Sequence, residues 1–156
     1  MIYVFDTSSF IVLGHYFPER FPSFWAQLDE LADDDRLTSV SEVAKELDNQ
    51  NTKAHLATWI DDHTPLFPSP TAPEMAFVAK IFKVPAFQAL ISRRKRLEGS
   101  PVADPFVIAR AAILVGCVVT EESPQTAAIR IPTVCKHFSV KCTNLEGLMA
   151  REGWKY

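Results

Sequence analysis

Short apolar runs alternate with longer stretches of helical spacing along this chain, and that alternation predicts an α/β fold. Ile2 to Phe5 is a brief run of β-formers and reads as a buried central strand. Phe24, Trp25, Leu28 and Leu31 recur at helical spacing, so Pro22 to Ala32 is an amphipathic helix, closed by the polar turn Asp33-Asp34-Asp35. Leu37 and Thr38 form a brief extended piece. Ser39-Val40-Ser41-Glu42 has the form of a capping box, with Ser39 as N-cap of a helix running to Leu47. Ala54 to Asp62 is a further helix with Leu56, Trp59 and Ile60 inward.

Composition changes next. Pro65, Pro68, Pro70 and Pro73 crowd one segment and forbid regular helix there. Met75, Val78, Ala79 and Phe82 then mark one helix. Phe87, Leu90 and Ile91 begin another that runs into Arg93-Arg94-Lys95-Arg96 and stops at Gly99 and Pro101. Residues 65–100 read as an insertion of loop and helices, too short to bury a core of its own. Asp104-Pro105 restarts the regular pattern as N-cap and first residue of an apolar helix ending at Gly116. Cys117 to Thr120 is a strand, Ile131 to Phe138 a helix, Val140 to Thr143 a last strand, and Leu145 to Arg151 a closing helix. Strands separated by helices imply a mainly parallel sheet. The 156 residues make one domain, 1–156.

Charge narrows the chemistry. The net charge is −3, so any contact with nucleic acid needs a local basic patch. No apolar run approaches the roughly 18 residues of a membrane span, and the opening run is too short for a signal peptide. Cys117, Cys135 and Cys142 are odd in number and lack C-x-x-C spacing, which suits reduced thiols in a cytoplasmic protein. His15, His55, His63 and His137 lie in no zinc spacing, and neither a glycine-rich nucleotide loop nor a G-x-S-x-G elbow occurs.

Four acidic residues remain at element boundaries: Asp6, Glu46, Asp104 and Glu122. Carboxylates at the carboxyl ends of parallel strands point into the crevice where such sheets bind ligands. Together they repel one another unless a divalent cation neutralises them. Asp6 has Thr7 and Ser8 beside it to hold its carboxylate, or it caps the next turn. Glu42 shares a helix face with Glu46 and is assigned to the capping box. Glu121 and Glu122 leave the strand facing opposite ways, so at most one meets the crevice. Phe17, Phe21 and Phe87 are assigned to the core. A haloacid-type phosphatase would need a second Asp where Ser8 stands.

Taken in order, these segments resemble the four motifs of PIN-domain nucleases. Ile2-Tyr3-Val4-Phe5-Asp6-Thr7-Ser8 resembles the first strand, and Ser39 through Leu47, with Glu46-Leu47, the second motif. Ala103-Asp104-Pro105-Phe106-Val107-Ile108-Ala109 resembles the third, and Val118-Val119-Thr120-Glu121-Glu122 the fourth. The chain is most similar to PIN proteins of the VapC toxin kind, with an insertion at 65–100. The resemblance implies a three-layer α/β/α sandwich and a Mg²⁺- or Mn²⁺-dependent ribonuclease. Asp6, Glu46 and Asp104 would hold metal, and Glu122 stands where the family more often has Asp. Ser8, Thr120 and Glu42 would support them. Arg93, Arg94, Lys95 and Arg96 are candidates for RNA contact. It also implies a cytoplasmic toxin, an antitoxin partner and a homodimer. The alternative is a PIN-like binding module without activity, which the Glu122 replacement allows.

Overall fold

In the computed structural model, which describes residues 1–90, 102–123 and 129–156, a four-stranded parallel sheet is flanked by helices. The strands are β1 (Tyr3–Phe5), β2 (Leu37–Thr38), β3 (Cys117–Val119) and β4 (Lys141–Thr143), in the spatial order β2-β1-β3-β4. Val4 pairs with Thr38 on one side and Val118 on the other, and Val118 pairs in turn with Cys142. β1 and β3 are buried throughout, which is why both are unbroken apolar runs. β2 is covered at its outer side by the proline-rich segment, where Ser39 N–H donates to Leu66 O (2.7 Å) and Ser41 N–H to Pro68 O (3.0 Å). β4 is the half-exposed opposite edge.

The helices described are α1 (Thr7–Leu13), α2 (Pro22–Asp33), α3 (Ser41–Asp48), α4 (Ala54–Asp62), α5 (Ala72–Phe82), α6 (Asp104–Leu114), α7 (Ile131–His137) and α8 (Leu145–Glu152). The connection from β1 to β2 runs one way across the sheet and that from β2 to β3 runs back. α4 packs against α1 and α2, through Phe10–Trp59 and Trp25–Trp59 ring contacts and the Trp59 Nε1 hydrogen bond to Asp29 (2.7 Å), while α5 and α6 pack on each other. The direction in which successive strands are added reverses between the parallel neighbours β1 and β3, and the crevice there is where such a sheet offers a ligand site.

Several local expectations change. α1 has no counterpart in the pattern reading, because Phe10-Ile11-Val12-Leu13 is a continuous apolar run without helical alternation. Asp6 starts it as N-cap. The capping box at Ser39 does not form: α3 begins one residue later than expected, at Ser41, with Val40 at its N-cap. Ser39 Oγ instead donates to Phe5 O (2.7 Å), tying β2 to the end of β1. A capping box does occur at α5, between Thr71 and Glu74. Asp104 is the first residue of α6, with Ala103 as N-cap. α6 stops at Leu114, two residues before Gly116, with Val115 left-handed (φ 53°) as its C-cap. Gly116 cannot carry a side chain, since a Cβ there would meet Ile2 O at 2.7 Å. Phe87 is buried, but Phe17 and Phe21 are exposed.

The described part of segment 65–100 joins the common core through Ile81 and Phe87. Its firmest polar tie is between Glu74, 2% exposed, and Arg110 of α6 (3.1 Å), whose Nε also donates to Thr38 Oγ1 (3.0 Å). The pair fixes α5 and β2 against the helix that begins at Asp104. Removing one partner of a buried pair strands the other charge. Arg110→Leu should therefore lower stability by about 3–5 kcal/mol. Urea unfolding followed by circular dichroism measures it, and a loss below about 1 kcal/mol, the scale of a surface pair, would refute the tie.

Candidate functional site

The site is built where β1 and β3 end. Asp6 follows Phe5, its backbone extended (φ −87°, ψ 177°), so its side chain turns over the first turn of α1. Oδ1 accepts the Ser9 N–H (2.8 Å), as an N-cap does. Ser8 Oγ lies 2.8 Å from both carboxylate oxygens, and Thr120 Oγ1 donates to Oδ2 at 2.5 Å. The backbone is fastened in the same place: Asp6 N–H donates to Val119 O (3.1 Å) and Ser9 Oγ to the same carbonyl (2.7 Å). Asp6 thus caps a helix and stands at the end of a central strand, beside the crevice.

Every one of these partners is a neutral donor. Asp6 is 2% exposed, and burial pushes its carboxyl above the ordinary carboxylate value, outweighing the hydrogen bonds from Thr120, Ser9 and Ser8 that pull it down. A buried carboxylate among neutral groups is a place where a cation would relieve the desolvation cost.

Glu46 is buried in α3 and reaches the same corner. Thr7 Oγ1 donates to its Oε2 (2.5 Å) and Ala103 N–H to its Oε1 (3.0 Å). Thr7 therefore serves Glu46, not Asp6 as the sequence suggested. Glu46 bridges the residue after Asp6 and the residue before Asp104, which brings three of the four expected acids onto neighbouring backbone stations. Asp104 itself is half-buried at the start of α6. Glu42 points elsewhere, pairing with Lys45 (2.9 Å).

Glu122 is joined to Asp6 through Thr120. Its N–H donates to Thr120 Oγ1 (3.1 Å), while its carboxylate turns away to accept the Ile131 N–H at the start of α7 (3.0 Å). Glu121 N–H donates to Ser8 Oγ (3.0 Å), and its carboxylate accepts the Leu145 N–H at the start of α8 (2.8 Å). Both glutamates border one cavity beside the crevice, although alternation predicted only one. They diverge to two helices, so each finds its own N–H. Arg93, Arg94, Lys95 and Arg96 lie outside the described residues. Among the described residues, no three His, Cys, Asp or Glu side chains stand together as a ready metal cage.

Sequence reading missed the part played by Ser9, by the Ala103 N–H and by the Glu121 carboxylate. The Asp6-to-Ser9 spacing is the signal for the first, since an N-cap aspartate accepts from the third residue after it. The other two depend on tertiary approach and leave no local signal.

A family model described as "Domain of unknown function (DUF4411)" matches residues 3–156. Among solved structures, a chain of VapBC2 from Rickettsia felis bound to a DNA fragment from their promoter superposes with a TM-score of 0.52. The match covers 92% of this chain and 98% of that one at 15% identity, and so concerns the fold. No curated protein matches. Among the described residues, no helix is long and apolar enough to cross a membrane.

The raised Asp6 carboxyl gives a signed expectation. A carboxyl raised on folding holds its proton more tightly in the folded chain. It favours the fold below its ordinary value of 3.8 and opposes it once ionised. Asp6→Asn removes that opposition at neutral pH. Its melting temperature minus that of wild type should fall as the pH drops from 8 through 3.8, measured by thermal denaturation. A difference that grows with acid would contradict a raised Asp6.

Proposed function

This chain belongs to the family described as a domain of unknown function, DUF4411, and we propose that it is a metal-dependent endoribonuclease. The observation that carries the reading is the buried Asp6 carboxylate, held only by neutral donors at the reversal point of a parallel sheet. The order of the four acidic motifs and the fold shared with VapBC2 support it.

Asp6, Glu46 and Asp104 offer hard oxygen ligands, which suit Mg²⁺ or Mn²⁺. When bound, the metal would supply an activated water and stabilise charge on the phosphate in the displacement. The chain's own groups do the rest. Ser8 and Thr120 fix the Asp6 carboxylate and give up a hydrogen bond when a cation takes an oxygen. Thr7 and the Ala103 N–H hold Glu46 between the two aspartates. Glu122, whose backbone N–H meets the Thr120 hydroxyl that binds Asp6, would complete a second metal site or position the attacking water. Arg93, Arg94, Lys95 and Arg96 are assigned to the RNA backbone, since net charge alone does not attract it. The setting proposed is a cytoplasmic toxin held by an antitoxin protein and acting as a homodimer, in a single domain.

One observation favours a second reading, an inactive PIN-like binding module. Both Glu46 oxygens and both Asp6 oxygens already accept hydrogen bonds from the protein itself, and no three-ligand cage stands ready among the described residues. Cleavage separates the two. Wild type with Mn²⁺ should cut single-stranded RNA. Asp6→Asn and Asp104→Asn should each slow cutting by roughly a hundredfold or more, the scale of a lost group that acts in the transition state. Equal rates for all three proteins, or none with any, would reject the nuclease.

A further inference from the structure

A cavity of about 620 Å³ opens beside Thr120 and Glu122, between the end of β3, helix α7 and the edge strand β4. That size lies within the roughly 300–1,000 Å³ of small-ligand sites. It adjoins the acidic corner through Thr120, which lines it and whose hydroxyl is bonded to Asp6.

The lining decides what it takes. Pro132, Val140 and Cys142 supply an apolar side, and Lys136 and Asn144 supply donors. Asn144 uses its Oδ1 to cap α8 through the Gly147 N–H (2.9 Å). Its amide nitrogen has no partner among the described residues and can donate. A free phosphate is disfavoured by two carboxylates against one ammonium, and a lipid chain by the polar rim. A nucleobase suits this lining: apolar faces for Pro132 and Val140, and ring and carbonyl acceptors on its edge for the donors of Lys136 and Asn144.

We propose that this cavity receives one unstacked base of the RNA strand and so selects the nucleotide next to the cut. Single-stranded RNA is commonly read this way, through splayed bases. The inference rests on the nuclease reading, and it places base choice in Pro132, Lys136, Val140 and Asn144, apart from the acids.

Cys142 provides the reporter. It lines the cavity and is half-buried, whereas Cys117 and Cys135 are buried. The neighbouring Cys135 thiol draws the Cys142 pKa down from its ordinary value, which favours alkylation. The full chain is treated with iodoacetamide in EDTA, with uridine or adenosine 5′-monophosphate or with inorganic phosphate. One of the nucleotides should slow Cys142 labelling about tenfold at ten times its dissociation constant, and phosphate should not. Lys136→Ala, at an exposed position, should weaken that protection roughly tenfold by removing a charge-assisted bond. Val140→Trp should fill the cavity and abolish it. Protection by phosphate alone, or none from either nucleotide in a protein that cuts RNA, would overturn the base subsite. Failure of the nuclease reading shows instead as absent Mn²⁺-dependent cutting, since the labelling contains no metal.

Discussion

The Asp6 carboxylate gathers the start of α1, the Ser8 hydroxyl and the Thr120 hydroxyl onto two oxygens, and the candidate site depends on that gathering. β1 and β3 are the two central strands, and their ends are buried, with the Ser39 hydroxyl on the Phe5 carbonyl and the Ser9 hydroxyl on the Val119 carbonyl. A buried charge there is tolerable only with hydrogen bonds from several sides. The neighbouring Thr7 extends the arrangement by binding Glu46, and Glu46 carries it on to the residue before Asp104. A chain of donors thus runs from the first strand through α3 to the start of α6.

The same device recurs on the other side of the crevice. Glu122 and Glu121 are each held by the first N–H of a helix, α7 and α8 respectively. A helix start carries unsatisfied N–H groups and a partial positive charge, so a carboxylate placed there is stabilised. Three acids are therefore positioned by backbone at or next to the start of a helix, and Asp6 by the helix it caps. Backbone donors move less than side chains, and this rigidity suits a site that must keep like charges near one another.

How much of this was legible in the chain depends on what each feature is made of. The strands were legible because a fully buried strand is a run of apolar residues, as in Tyr3-Val4-Phe5 and Cys117-Val118-Val119. The sheet order followed less directly, and the pairing of β1 with β3 had to come from the fold. α1 was hidden because its apolar run lacks polar interruption. Ser39 looked like a cap, but the Phe5 carbonyl needed a donor and Ser39 was closest to it. The acidic positions were legible as charges beside buried strands. Their partners were not, since the Ala103, Ile131 and Leu145 N–H groups reach them only across the tertiary structure.

The central claim is that Asp6 is a cation-binding carboxylate and more than a helix cap. A crystal structure of the protein soaked in millimolar Mn²⁺ tests it most directly. The account predicts anomalous density against an Asp6 oxygen, with Glu46 or Asp104 reaching the same ion directly or through water. The Thr120 or Ser8 hydrogen bond to that oxygen should be displaced. Mn²⁺ absent from this corner, with every Asp6 hydrogen bond intact, would contradict it.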